Sequence, residues 1–170
     1  MTGVALTRVL ADMVEPAFRE LPARMASDEA RVMLLAIGLQ ESRFRHRLQM
    51  PLRPGMPPGP ARGFWQFERG GGVKGVMGHP ASSRLALEVI SSRNLRPNSP
   101  TVWAALATDD VLAAIFARLL LWTDPAPLPR IGDHEAAWDC YIRNWRPGRP
   151  HPHTWKALYD SAVDTVRGGA

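Results

Sequence analysis

A chain of 170 residues, 45% apolar and 22% charged, is long enough for one hydrophobic core and short for two, and its balance argues against a disordered tail. A formal net charge of +5 and an isoelectric point of about 10.3 favour an anionic partner, without separating a nucleic acid from an acidic wall polymer. The single cysteine, Cys140, excludes an intrachain disulfide and a thiolate metal cluster, and its place in an aromatic helical run reads as a buried thiol.

In chain order, residues 4–14 place Val4, Leu6, Val9, Leu10, Met13 and Val14 at helical spacing. Pro16 kinks or restarts that helix, and Ala17, Phe18 and Leu21 continue its apolar face. Ser27 is a helix N-cap with Asp28 and Glu29 in the first turn, followed by a nearly all-apolar stretch from Val32 to Leu39 that belongs at the centre of the fold. Glu41 comes two residues beyond Leu39, at the edge of that buried surface. Residues 51–60, with five prolines, form a surface loop or flap.

Gly70-Gly71-Gly72 permits a tight reversal, and a short helix is expected from Val73 to Met77. This glycine run is no phosphate loop, since neither the G-x-x-x-x-G-K-[ST] pattern nor a preceding strand accompanies it. Pro80 starts another helix, with Leu85, Leu87, Val89 and Ile90 as core positions. Pro100 opens a segment holding Val102, Trp103 and Leu106. Thr108 caps the next helix, in which Val111, Leu112, Ile115, Phe116, Leu119 and Leu120 face inward until Pro125 ends it. Two helices, roughly 133–145 and 154–167, flank the stiff sequence Arg146-Pro147-Gly148-Arg149-Pro150. No alternating strand pattern and no internal repeat is present, so the expected fold is mainly α, one domain over residues 1–170 with irregular Pro/Gly-rich loops.

Two segments carry chemistry: Leu39-Gln40-Glu41-Ser42-Arg43-Phe44 at the end of the apolar helix, and Gly63-Phe64-Trp65-Gln66-Phe67-Glu68. A carboxylic acid backed by apolar residues loses hydration of its anion, so its pKa rises and it remains a proton donor near neutral pH. Such an acid can protonate a glycosidic oxygen. By its local pattern alone, Glu41 reads equally well as a solvated residue in a last helical turn.

Glu41-Ser42-Arg43-Phe44 followed by Gly63-Phe64-Trp65-Gln66 resembles the lysozyme-like lytic transglycosylase superfamily, which includes goose-type lysozymes and many phage and bacterial wall-cleaving enzymes. Its signature is a catalytic glutamate, Ser, a variable residue and Phe, then a Gly-Leu-Met-Gln or Gly-Leu-Trp-Gln-like segment. The likeness is strongest over residues 30–150. It implies a lysozyme-like catalytic domain with Glu41 as general acid and base, Ser42 orienting substrate or acid, and Gln66 lining the sugar cleft with Gly63 and Trp65. A later Tyr-Asn-containing helical motif that supports the glutamate is matched best by Tyr141-Ile142-Arg143-Asn144-Trp145, with Tyr141 as its site residue. The chain departs from the family at Phe64 and Trp65, which replace smaller aliphatic residues, in the Pro-rich loop, and in lacking the Ala-Tyr-Asn-Ala-Gly form.

The resemblance implies cleavage of the β-1,4 bond between N-acetylmuramic acid and N-acetylglucosamine in peptidoglycan, by transglycosylation or hydrolysis. Glu68 is the nearest second carboxylate in sequence, and the bland reading makes it a surface residue beside Arg69. Trp65 and Tyr141 suit sugar CH faces, while Trp103, Trp122, Trp138 and Trp155 lie in helical patterns and read as core. His151 and His153 lie close, but no histidine spacing makes a metal site and no cofactor is implied. The expected partner is a peptidoglycan glycan strand, not nucleic acid. Alternatives are a noncatalytic peptidoglycan-binding or phage structural protein, and a helical nucleic-acid-binding protein. The first residues show no signal peptide, and the apolar run around Leu119–Trp122 is too short to span a bilayer. The expectation is a protein made in the cytoplasm that acts in the periplasm or at the wall through another export or phage-delivery route.

Overall fold

The computed structural model describes residues 3–51 and 53–168 and is mainly α-helical. The first helical stretch has three contiguous parts: α1 (Leu6–Val9), a π turn (Leu10–Val14) and α2 (Glu15–Arg19). Pro16 explains the middle part. Its ring crowds the carbonyl four residues back, and the wider turn, closed by Glu15 N–H donating to Leu10 O, relieves that contact without breaking the helix.

The central helix is α3 (Asp28–Ser42), capped by Ser27, whose Oγ accepts from Ala30 N–H at 3.1 Å. Every residue from Val32 to Gly38 is buried, so this helix is enclosed on all sides. It packs chiefly against α9 (Pro152–Gly168) and also against α7 (Asp110–Trp122). Around this centre lie α4 (Lys74–Gly78), α5 (Ser83–Ser92), α6 (Ser99–Ala105) and α8 (His134–Trp145). Buried residues from all of these contribute to one hydrophobic cluster.

Four sequence expectations are corrected. Pro80 sits in a turn, and α5 begins at Ser83. Leu87 is on the exposed face of α5, while Leu85, Val89 and Ile90 are buried. The cap of α7 is Asp109, whose carboxylate accepts from Leu112 N–H at 2.8 Å, while the Thr108 hydroxyl donates back to Ala105 O. A two-stranded antiparallel hairpin, β1 (Ala61–Arg62) and β2 (Phe67–Glu68), pairs Ala61 with Glu68 and Arg62 with Phe67. Two residues per strand are too few for an alternating pattern to show in sequence.

The Pro-rich loop is tied at its base. Gln49 N–H donates to Ala61 O, Gly59 N–H donates to Gln49 O, and the Trp103 indole donates to Pro60 O at 2.8 Å. The Arg62 guanidinium lies 4.2 Å from the Trp103 ring centre.

The end of α3 is held by an aromatic knot. Phe44 meets Phe64 and Trp65 edge-on at 5.5 and 5.6 Å between ring centres. Its ring lies where a Cβ on Gly38 would stand. One turn earlier on the same helix face, Leu34 O accepts from the Trp65 indole at 2.8 Å. Gly38 therefore bares a strip of helix backbone on which both aromatic side chains sit. A glycine-to-alanine change inside a helix ordinarily stabilises by about 1 kcal/mol. Here overpacking against Phe44 outweighs it. Gly38→Ala is expected to destabilise the fold by about 1–3 kcal/mol in urea unfolding, and a gain in stability would refute this packing account.

Candidate functional site

Helix α3 ends where Arg43 and Phe44 both take left-handed backbone (φ 54° and 50°), so the chain turns sharply just after Glu41. Ser42 is buried within this turn. Its hydroxyl donates to Gly38 O at 3.2 Å and accepts from Phe44 N–H at 3.1 Å. That is a helix-terminating role and leaves the hydroxyl little to offer a substrate. Glu41, one residue earlier, is left at the wall of an open groove of about 1500 Å³.

The second sequence segment shapes that groove from behind. Gly63 has a φ of 73°, and a Cβ there would stand 2.8 Å from Leu106 O, so glycine is needed for both backbone conformation and space. Trp65 is 0% exposed, with its indole bonded to Leu34 O. This corrects its assignment as a sugar platform: it is a core residue. Gln66, also left-handed (φ 51°), does line the groove. Its amide nitrogen donates to Gly63 O at 2.8 Å and weakly to His46 O at 3.4 Å, which fixes the side chain in its own turn.

Helix α8 joins the two segments. Tyr141 and Trp145 lie one turn apart on a single face. The Tyr141 hydroxyl donates to Glu41 Oε1 at 2.6 Å, and the Trp145 indole donates to Trp65 O at 2.9 Å. Tyr141 is itself buried and stacks on Trp155 of α9, 5.2 Å between centres and 11° between planes. Asn144 lines the groove, but its amide is engaged by Asp124 and Cys140 O.

Burial pushes the Glu41 carboxyl from an ordinary 4.5 up to about 7. The Tyr141 hydrogen bond opposes that rise and the negative charge of Glu68 adds to it. Tyr141 is itself pushed up, first by burial and then by the Glu41 charge, so it stays protonated and remains a donor. Glu68 is exposed on β2 and lines the same groove.

Of the six sequence-derived residues, the structure brings Glu41, Gln66 and Tyr141 together at the groove. Ser42, Gly63 and Trp65 act as supports, with only an edge of Ser42 reaching the lining. In sequence the basic residues Arg43, Lys74, Arg143, Arg146 and Arg149 read as scattered, with Arg43 and Arg62 equally suited to peptide-stem carboxylates or to plain solvation; the structure places those five, but not Arg62, along this groove. Sequence reading passed over His46 in the lining. Among the described residues no cluster of three or more His, Cys, Asp or Glu side chains is placed to hold a metal, and no helix is long and apolar enough to cross a membrane. No family model, curated protein or solved structure matches the chain.

Two predictions follow from the carboxyl's surroundings. The Glu41 pKa is higher in the fold than its unfolded value, so this group favours folding most below pH 4.5. That contribution is lost as pH rises through about 7. Glu41→Gln abolishes the titration. The variant should match wild type near pH 4 and exceed its stability at pH 8 by on the order of 2–3 kcal/mol, read by urea unfolding. Equal stability at pH 8 would show the carboxyl to be solvated. In NMR titration of the Glu41 side-chain carbon, Tyr141→Phe should move the pKa up and Glu68→Gln should move it down; shifts of the same sign would contradict the arrangement.

Proposed function

We propose that this protein is a peptidoglycan-cleaving enzyme of the lysozyme-like lytic transglycosylase type, acting on the β-1,4 bond between N-acetylmuramic acid and N-acetylglucosamine. The observation that carries the reading is a carboxylic acid with a pKa pushed up to about 7 in the wall of an open groove of about 1500 Å³, clamped by a tyrosine hydroxyl. Its position after an apolar helix, and before a Gly-Phe-Trp-Gln turn, is the arrangement that the family resemblance implies.

In this reading Glu41, protonated, donates to the glycosidic oxygen as the bond to C1 of N-acetylmuramic acid breaks. The substrate's N-acetyl group stabilises the cation that develops at C1. Glu41, now a carboxylate, removes the proton from the C6 hydroxyl of the same sugar as that oxygen attacks C1. The products are a 1,6-anhydro end and a free C4 hydroxyl, and Glu41 finishes protonated. Tyr141 holds one carboxylate oxygen so that the other faces the linkage. The amide nitrogen of Gln66 is occupied by protein carbonyls, leaving its oxygen for a sugar hydroxyl.

A pKa near 7 serves both halves of this cycle, because the acid form gives a proton and the base form takes one at the same pH. A groove that only binds glycan has no use for a desolvated acid. Hydrolysis by a pair of carboxyl groups would require a second one at a defined separation. Glu68 supplies a carboxylate in the lining, and the products separate the two routes.

Purified peptidoglycan is digested with wild type and with Glu41→Gln, and the sugar ends are read by mass. Anhydro ends from wild type, reduced about 10³-fold in the variant, are the expected result. Reducing ends would assign hydrolysis. Binding with no new ends from wild type would sink the enzymatic reading.

A further inference from the structure

Cations outnumber acids in the lining of the groove. Among the described residues its acidic lining consists of Glu41 and Glu68, while Arg43, Lys74, Arg143, Arg146 and Arg149 supply the cations. Arg143 is neutralised by Asp124 at 2.7 Å. Arg43, Lys74, Arg146 and Arg149 make no ion pair among the described residues. Arg146 and Arg149 are exposed and sit on a stiff turn. Arg146 closes α8 in left-handed backbone (φ 49°), its N–H donating to Ile142 O, and Pro147 and Pro150 limit the chain beyond it. Arg43 is partly buried beside Arg45, and burial followed by that like charge pushes its pKa down.

A polymer suited to this pattern has a neutral backbone passing the carboxyls and negative charge on its branches. A phosphodiester chain does the reverse, carrying charge along the backbone past Glu41 and Glu68. We infer that the Arg146–Arg149 turn forms a subsite for the free carboxylates of peptides branching from the glycan, so that the groove selects strands with anionic, uncapped stem peptides. This inference rests on the proposed function and names the substrate class within it. Exposed guanidinium–carboxylate pairs contribute modestly and are screened by salt. Two of them set a preference of about three- to tenfold at low ionic strength.

The test uses the full chain and one peptidoglycan preparation in two portions, one native and one with its stem carboxylates converted to primary amides. Wild type should cut and cosediment with native sacculi about three- to tenfold better than with amidated sacculi at low salt. The ratio should fall toward one in 0.5 M salt and in the Arg146→Gln/Arg149→Gln double variant, whose folding is checked by its melting temperature. Equal cutting of both portions by wild type overturns the subsite and leaves the enzymatic reading standing. Preferential binding of native sacculi with no cutting of either portion keeps the subsite and removes the catalysis. Failure to bind either portion, or tighter salt-sensitive binding to duplex DNA than to native sacculi, overturns both.

Discussion

The site depends on one hydrogen bond, from the Tyr141 hydroxyl to Glu41 Oε1 at 2.6 Å. It joins residues a hundred positions apart and closes the gap between the end of α3 and the middle of α8. Without a donor there, a carboxyl backed by a fully enclosed helix would lose hydration with nothing to replace it. With Tyr141 in place the acid is desolvated enough to hold its proton near neutrality and still able to exist as an anion. Burial and hydrogen bonding pull its pKa in opposite directions, and burial dominates.

Rigidity behind that bond comes from aromatic side chains. Phe44 and Trp65 lie against the backbone strip that Gly38 exposes, Trp145 bonds to the carbonyl of Trp65, and Trp155 stacks on Tyr141. These contacts draw α3, the Gly63–Gln66 turn, α8 and α9 into one unit around the carboxyl. Such contacts restrict the rotamers of the groups around the carboxyl. The cost is a partly buried ionisable group that weakens the fold at alkaline pH.

Charge acts at a longer range. The net charge of +5 draws an anionic surface toward the protein, and the groove lining holds Glu41 and Glu68 together with the cations Arg43, Lys74, Arg146 and Arg149, unpaired among the described residues. Total charge governs encounter, and its placement governs which partner fits.

Much of this was legible from the chain. The run from Val32 to Leu39 pointed to a buried helix, Ser27 marked its start, and Glu41 fell at the edge of the buried surface, though its pattern suited a solvated residue equally well. The alternation of helical patterns with proline and glycine clusters specified a mainly α body. Local pattern failed where competing groups were equally suited, as with Thr108 and Asp109 for the cap of α7, and where Leu87 was apolar but faced solvent. It also failed for Trp65 and Ser42, since a tryptophan or serine near a glutamate reads the same whether it faces a ligand or the protein. Only tertiary structure decided those. The baring of helix backbone at Gly38 gave Trp65 a carbonyl to bond, and the packing of α8 against α9, which itself packs on α3, brought Tyr141 within reach of Glu41. Neither distance is encoded by any short segment, because each depends on how parts of the chain far apart in sequence dock.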